Sequence, residues 1–329
     1  MFMEGITGHL IDENLEIKSI QIALRKIVDH TGKEIARIVY LILEEFNLIN
    51  KIGWFVTDNA SNVIKFVQDL QVILQNNGYA IDVSESRVRC MCHVLQLVTM
   101  AFLNGLESTV DDEDEEINQK KISYRSVSNR KSLDDDKSEY NTISKIRNIV
   151  INIKKSPQRL EKWYDILRLC NVSKKKIPLD NDTRWRSLFQ MIINAIKLKK
   201  EINIYCNSFT DMEKNKISDK NWKNLEFVAK FLAKFTEFTD FFEGESYPTI
   251  FFVIDAYNQL FDSLDELDNK KLKIKTALDN TYAKLRIYYK RTDYSRIFLI
   301  ATILSPCYKM EYFTNNEWEE ENVKEIRNL

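Results

Sequence analysis

The 329-residue chain is long enough for one large domain or two ordinary ones, and its 44% of hydrophobic residues can furnish a sizeable core. Its 48 basic and 49 acidic side chains leave a formal net charge of -1, which excludes the global basic field that announces a nucleic-acid partner and leaves any such binding to local patches. Seven glycines and four prolines favour long helices. The scattered Cys90, Cys92, Cys170, Cys206 and Cys307 are no disulfide framework, and the longest apolar run, Ile38 to Leu43, is too short to span a bilayer. The chain reads as soluble and intracellular.

Gly5 to Ile11 and Leu15 to Leu24 are rich in β-formers and flank the turn cluster Asp12-Glu13-Asn14, which predicts a β-hairpin. Thr31, with Glu34 three residues on, predicts a capping box. The helix it opens carries Ile35, Ile38, Val39, Ile42 and Phe46 on one face. Ile52 to Thr57 reads as a strand buried on both faces, ended by Asp58, and a helix follows from about Asn62 to Gln75. Strand, strand, helix, strand, helix is an α/β order. Val88 to Leu103 begins as a strand and continues as a buried helix.

The character then changes. Asp111 to Glu116 is an unbroken acidic run, and the polar stretch to about Tyr140 cannot bury a core, so it reads as a disordered insertion or exposed loop. From Asn141 onward the periodicity is helical, with Leu225, Val228, Leu232, Phe235 and Phe242 on one stripe. Tyr247-Pro248 breaks that stripe from the next, and Ser305-Pro306 stops the last helix near Leu304. The expected division is an α/β domain over 1–105, a polar linker over 106–140 and a mainly helical region over 141–329.

Three constellations bear on chemistry. Asp58 ends a strand and precedes a helix, where open α/β sheets bind ligands; an Asp there also simply starts a turn or caps a helix. Cys90 and His93, with Cys92 beside them, have the spacing of half a zinc site. Two more ligands are needed, and only His9 and His30 remain among the histidines; a buried thiol and a satisfied histidine is the plainer reading. Asp182-Thr183-Arg184-Trp185 opens a helix, with Asp182 or Thr183 as cap. Arg184 suits a phosphate and Trp185 a base, although a core tryptophan at a helix start explains the pair without DNA. The runs Lys174-Lys175-Lys176 and Lys197 to Lys200 are solvated surface, compatible with phosphate contact or nuclear import.

In order along the chain, ITGHLIDENLEIKSI (Ile6 to Ile20), HTGKEIA (His30 to Ala36), GWFVTDNASNV (Gly53 to Val63), RVRCMCHVLQLV (Arg87 to Val98), LDNDTRWRSLFQMI (Leu179 to Ile192), EGESYPT (Glu243 to Thr249) and IATILSPCYKMEYF (Ile300 to Phe313) resemble the hAT transposase family, which includes domesticated zinc-finger BED proteins. The resemblance implies an RNase H-like α/β domain interrupted or followed by a large all-α insertion domain. It implies cut-and-paste transposition of DNA in the nucleus. Three carboxylates there hold two divalent metals, Mg²⁺, which activate the attacking oxygen and stabilise the leaving one. Asp58 matches the second of those carboxylates, hence a catalytic and metal-binding role. Cys90 and His93 match an element near the active site and the DNA that need not bind zinc. Arg184 and Trp185 match the insertion-domain pair, whose tryptophan stacks on a flipped base.

The departures are as informative. The first catalytic Asp is expected upstream of Ile6, and the final Glu in a C-terminal element, with the dimerisation region that serves homo-oligomers of full-length relatives; these residues contain neither, nor a BED finger. Leu304-Ser305-Pro306 stands where the family has Leu-Asp-Pro. The strand bearing the first Asp is central in this fold, between the hairpin and the Asp58 strand; without it, either the hairpin pairs with the Asp58 strand or the α/β part is the less stable one. The expectation is a DNA-binding protein of transposase descent without cleavage activity. The alternatives are a fragment of an active transposase, and a helical interaction module with no nucleic-acid role.

Overall fold

The computed structural model describes residues 2–14, 16–27, 29, 31–58, 61–83, 85–108, 139–181, 185–268, 274–316 and 318–327. Most of the expected polar linker, 109–138, lies outside the described residues. In chain order the elements are β1 (Phe2–Ile11), β2 (Ile17–Ile27), α1 (Gly32–Glu45), β3 (Phe55–Thr57), α2 (Ser61–Asn76), β4 (Arg87–Arg89) and α3 (Met91–Ser108). Helices follow: α4 (Glu139–Lys154), α5 (Pro157–Leu169), α6 (Trp185–Lys197), α7 (Lys199–Asn207), α8 (Asp219–Phe242), α9 (Val253–Asp268), α10 (Lys275–Lys290), α11 (Ile297–Leu304), α12 (Glu311–Asn315) and α13 (Glu320–Arg327).

Two compact units emerge, and they cut across the chain-order division expected from the sequence. The first holds residues 1–95, 239–259 and 285–329, and the second 96–238 and 260–284. Segments beyond residue 141 thus return to the α/β unit.

In the first unit β1 and β2 form an antiparallel hairpin, from Phe2 opposite Ile27 to Ile11 opposite Ile17, with an irregularity at Ile6/Thr7. The second strand runs from Ile17; Leu15, where the sequence places its start, lies outside the described residues, and Glu16 precedes the strand. The Asp12 carboxylate explains this, because it accepts from the backbone N–H groups of Asn14 and Glu16, both at 2.9 Å, and draws those residues into the turn. Thr31 caps α1, its hydroxyl oxygen accepting from Glu34 N at 3.3 Å. The reciprocal half of the box is replaced: Thr31 N donates to Asp29 at 2.9 Å, and the Glu34 carboxylate turns to Arg37. The helix ends at Glu45, so Phe46 is exposed at its C-cap, outside the apolar face on which the sequence had placed it.

α1 and α2 pack through Ile35, Val39, Leu43, Phe66, Leu70 and Leu74. Gly32 permits their approach, because a Cβ there would stand 2.5 Å from the backbone of Asn62 and Phe66. Ile6 of β1 and Phe55 of β3 both pack against this helical layer. Gln71 pins the segment leading to β4, donating to Ile81 O at 2.7 Å and accepting from Val83 N at 2.6 Å.

β3 and β4 pair in parallel, Phe55 with Arg87 and Thr57 with Arg89. Among the described residues they form a two-stranded sheet of their own, and the hairpin does not pair with β3. The strand read as buried on both faces is covered on one only: Trp54 is 53% and Val56 67% exposed. Phe55 meets the helices while Val56, one residue on, points the other way, as alternation along a strand requires.

The returning segments of this unit are joined by a carboxylate clamp. Asp255 accepts from the hydroxyls of Tyr308 at 2.8 Å and Tyr312 at 3.2 Å, one helical turn apart, and from Gln259 at 2.9 Å. Burial foremost, and then the carboxylate, push both phenols above their usual acidity range. The helices do not stop at Leu304: α12 and α13 follow Ser305-Pro306, burying Tyr312, Phe313, Val323 and Ile326.

The second unit is helical. Phe102 and Phe231 lie 4.5 Å apart, Phe231 and Phe235 5.0 Å. Gly105 lets α3 cross α10, since a Cβ would meet Ala277 at 2.3 Å. Trp163 is fully buried and donates its indole N–H to Lys175 O at 3.0 Å. Arg147 of α4 pairs with the buried Asp180 at 2.7 Å, tying the segment before α6 to the bundle.

Candidate nucleic-acid interface

Asp58 follows the last residue of β3, with an exposed side chain. Its backbone is held from β4: the Arg87 guanidinium donates Nε to Thr57 Oγ1 and Nη2 to Asp58 O, both at 3.0 Å. The N–H of Cys90 donates to Thr57 O at 2.8 Å. The parallel register sets this up, because it brings the end of β4 alongside the end of β3. Arg87 is only 9% exposed. Burial lowers the pKa of its guanidinium, and the neighbouring Arg89 and Arg291 lower it further, against the attraction of Asp58; an arginine stays charged regardless.

Cys90 and Cys92 straddle the start of α3. The Cys92 thiol donates to Cys90 and draws the Cys90 thiol down to about 6; burial opposes this, and the N–H groups of His93 and Cys92 assist. The same hydrogen bond, with burial, pushes the Cys92 thiol up, so the shared proton stays on Cys92. Cys92 Sγ also lies 4.0 Å from Thr239 O. Thus Cys90 is tied to the Asp58 strand end through its backbone N–H, and His93 follows in the first turn of α3.

Among the described residues no group of three or more His, Cys, Asp or Glu side chains could hold a metal ion. Asp58 has the arginine Arg87 as its electrostatic neighbour. These residues do not fit a two-metal Mg²⁺ centre by themselves, nor does Cys90 with His93 fit a closed zinc site, which needs four ligands.

Of the Arg184–Trp185 pair, Arg184 lies outside the described residues, as do the candidate caps Asp182 and Thr183. Trp185 begins α6, is 4% exposed and packs edge-to-face on Phe235, ring centroids 6.5 Å apart. In this conformation its indole belongs to the core of the second unit.

Sequence reasoning missed the arginines. Arg87, Arg89 and Arg296, with Trp54 and Ser295, line a cleft of about 1030 Å³ in the first unit, which Asp82 and Glu85 also line. The available signal was the alternation in Arg87-Val88-Arg89, which puts two guanidinium groups on one face of a strand. Nothing local could have added Arg291 and Arg296.

Comparison with known proteins accords with this layout. Residues 2–84 match the ZBED1 RNase-like domain, and residues 88–231 the ZBED1 RNase-like helical domain. The first match falls within the α/β unit, and the second lies almost wholly in the helical one. The chain is a hAT-family transposase-like protein. It is 27% identical over 96% of its length to a Talaromyces stipitatus protein named as a transcriptional regulator, tpeD, covering 35% of that protein. It is 24% identical over 92% of its length to a Zea mays protein named as an AC transposase, covering 34% of it. A human protein, zinc finger BED domain-containing protein 4, is 26% identical over 57% of the chain, which covers 16% of it. The chain spans about a third of the length of the first two.

Proposed function

We propose that these residues form a DNA-binding unit of transposase descent, acting in the nucleus, that does not cut or join DNA by itself. The observation that carries this reading is the setting of Asp58. By resemblance it matches the family's second carboxylate; at the end of β3, Nη2 of Arg87 donates to its backbone carbonyl, and among the described residues no group of three or more His, Cys, Asp or Glu side chains could hold a metal ion. Two Mg²⁺ ions need several hard oxygen donors at one place. Asp58 supplies one, and serves as a metal ligand only where other carboxylates join it.

DNA as the partner is supported by the relatives, named as transposases and a transcriptional regulator. The Arg184–Trp185 pair contributes to DNA contact only when Trp185 leaves its place against Phe235. The test is a plasmid assay with matched transposon ends and Mg²⁺. The expected result is intact plasmid. Metal-dependent cutting by this chain, abolished by Asp58→Ala, would overturn the proposal.

A further inference from the structure

Resting on that DNA-binding reading, we infer that the cleft lined by Trp54, Arg87, Arg89 and Arg296 is where the α/β unit takes a single strand of DNA, arginines on the phosphates and Trp54 against a base.

Arginines dominate the cleft's charged lining. Arg87 and Arg89 come from β4, and Arg291 and Arg296 from the segment that returns between α10 and α11. The two pairs are distant in sequence, yet Arg89 and Arg291 both act electrostatically on Arg87 and on the buried phenol of Tyr257 beside them. Half-buried like charges repel more strongly than the same charges in water. An anion at the cleft relieves that repulsion. A guanidinium fork suits a phosphodiester in particular, because its paired N–H groups match two phosphate oxygens.

The acids of the cleft do not cancel this. Asp82 and Glu85 are two against three lining arginines, with Arg291 adjacent. Asp82 Oδ1 also accepts from Glu85 N at 3.1 Å, which orders the turn before β4. The walls are fixed in advance: Ser295 Oγ donates to Glu85 O at 3.0 Å, joining the returning segment to the approach to β4. A preset site loses less ordering entropy on binding.

Trp54 adds an aromatic surface beside the arginines. Its large apolar ring is 53% exposed at the cleft. An exposed indole beside arginines is a stacking platform for a base. In a duplex the base faces are already stacked on one another, so the platform selects a single strand. A cleft of about 1030 Å³ lies at the upper limit of small-ligand pockets, which suits a chain segment passing through.

The test is fluorescence anisotropy of a labelled 20-nucleotide single strand, titrated with the full chain over a series of KCl concentrations. Arg296 and Trp54 are exposed, so their substitution spares the core. Arg296→Ala should flatten the dependence of log K on log salt by about 0.7, the loss of one phosphate contact. Trp54→Ala should weaken binding about tenfold without changing that slope. Replacing Lys174, Lys175 and Lys176 by Ala in the helical unit should leave the single-strand slope as in the wild type. Wild-type affinity and slope in both cleft variants would overturn the cleft while DNA binding stands. Equal competition by duplex would overturn the choice of a single strand, and tighter binding of the same sequence as RNA the choice of DNA. No binding of any DNA by the wild-type chain would overturn this inference and the proposed function together.

Discussion

Arg87 Nη2 donates to the backbone carbonyl of Asp58 at 3.0 Å, so the end of one strand is set by a side chain of its parallel neighbour. The same guanidinium reaches Thr57 Oγ1. Arg87→Met keeps an apolar stem but removes both donors, leaving two acceptors to find others. A loss of about 1–3 kcal/mol in unfolding free energy is expected. It should come with faster amide exchange at Cys90, whose N–H bonds to Thr57 O. Unchanged exchange there would show that Arg87 does not order this strand end.

The ion pair between Arg147 and Asp180 lies in the helical unit, its side chains 17% and 4% exposed. Removing one partner of a buried pair strands the other charge. Asp180→Ala should therefore cost about 3–5 kcal/mol, and the combination of Arg147→Met with Asp180→Leu should recover most of it. Chemical denaturation of the three variants checks this, and the recovery is the informative part. A double variant as unstable as the single one would mean that the pair does more than neutralise itself.

The Cys90 thiol titrates low, near 6, because Cys92 and backbone N–H groups hydrogen-bond to the thiolate. Lowering a thiol's pKa populates the nucleophilic form at neutral pH. Alkylation of Cys90 by iodoacetamide should therefore be near its plateau at pH 7 and fall as pH drops through about 6. Cys206, buried and pushed up to about 11, should stay unmodified throughout. Peptide mass spectrometry after timed alkylation reads both. A Cys90 rate that still climbs tenfold per unit between pH 7 and 8 would contradict the hydrogen-bonded thiolate.

The hairpin β1–β2 has no third strand among the described residues, and Leu10, Ile11, Ile17, Ile20 and Leu24 are exposed on it. Two-stranded sheets are marginal alone. Hydrogen exchange should therefore find the amides of 2–11 and 17–27 less protected than those of α4 and α8. Equal protection would mean that packing of Ile6 and Ala23 on α1 suffices to hold the hairpin.

Much of the α/β unit was legible because its signals are local. The Asp12 turn, the Thr31 cap, the apolar face of α2 and the passage from Val88 into α3 each rest on neighbours within a few residues. What depends on distant partners was not. The apolar run Ile52 to Thr57 says nothing of which faces are covered, and Val56 proved exposed. Trp185 at a helix start reads from its own residues as a core anchor, and only the family resemblance makes it a base platform; Phe235, on another helix, is its core partner. The cleft is the extreme case, since Arg291 and Arg296 reach β4 through a return of the chain that no periodicity announces. The carboxylate clamp on Tyr308 and Tyr312 is of the same kind, with Asp255 on another helix.

One gel-shift series reads DNA binding and DNA cutting together. The full chain is incubated with end-labelled DNA and Mg²⁺ across rising KCl, and bound and cleaved DNA are read in the same lanes. The expected result is a shift that weakens steeply as salt rises, because phosphate contacts release counterions, with every DNA strand intact. Binding indifferent to salt, no binding at low salt, or cut DNA that disappears with Asp58→Ala would contradict it.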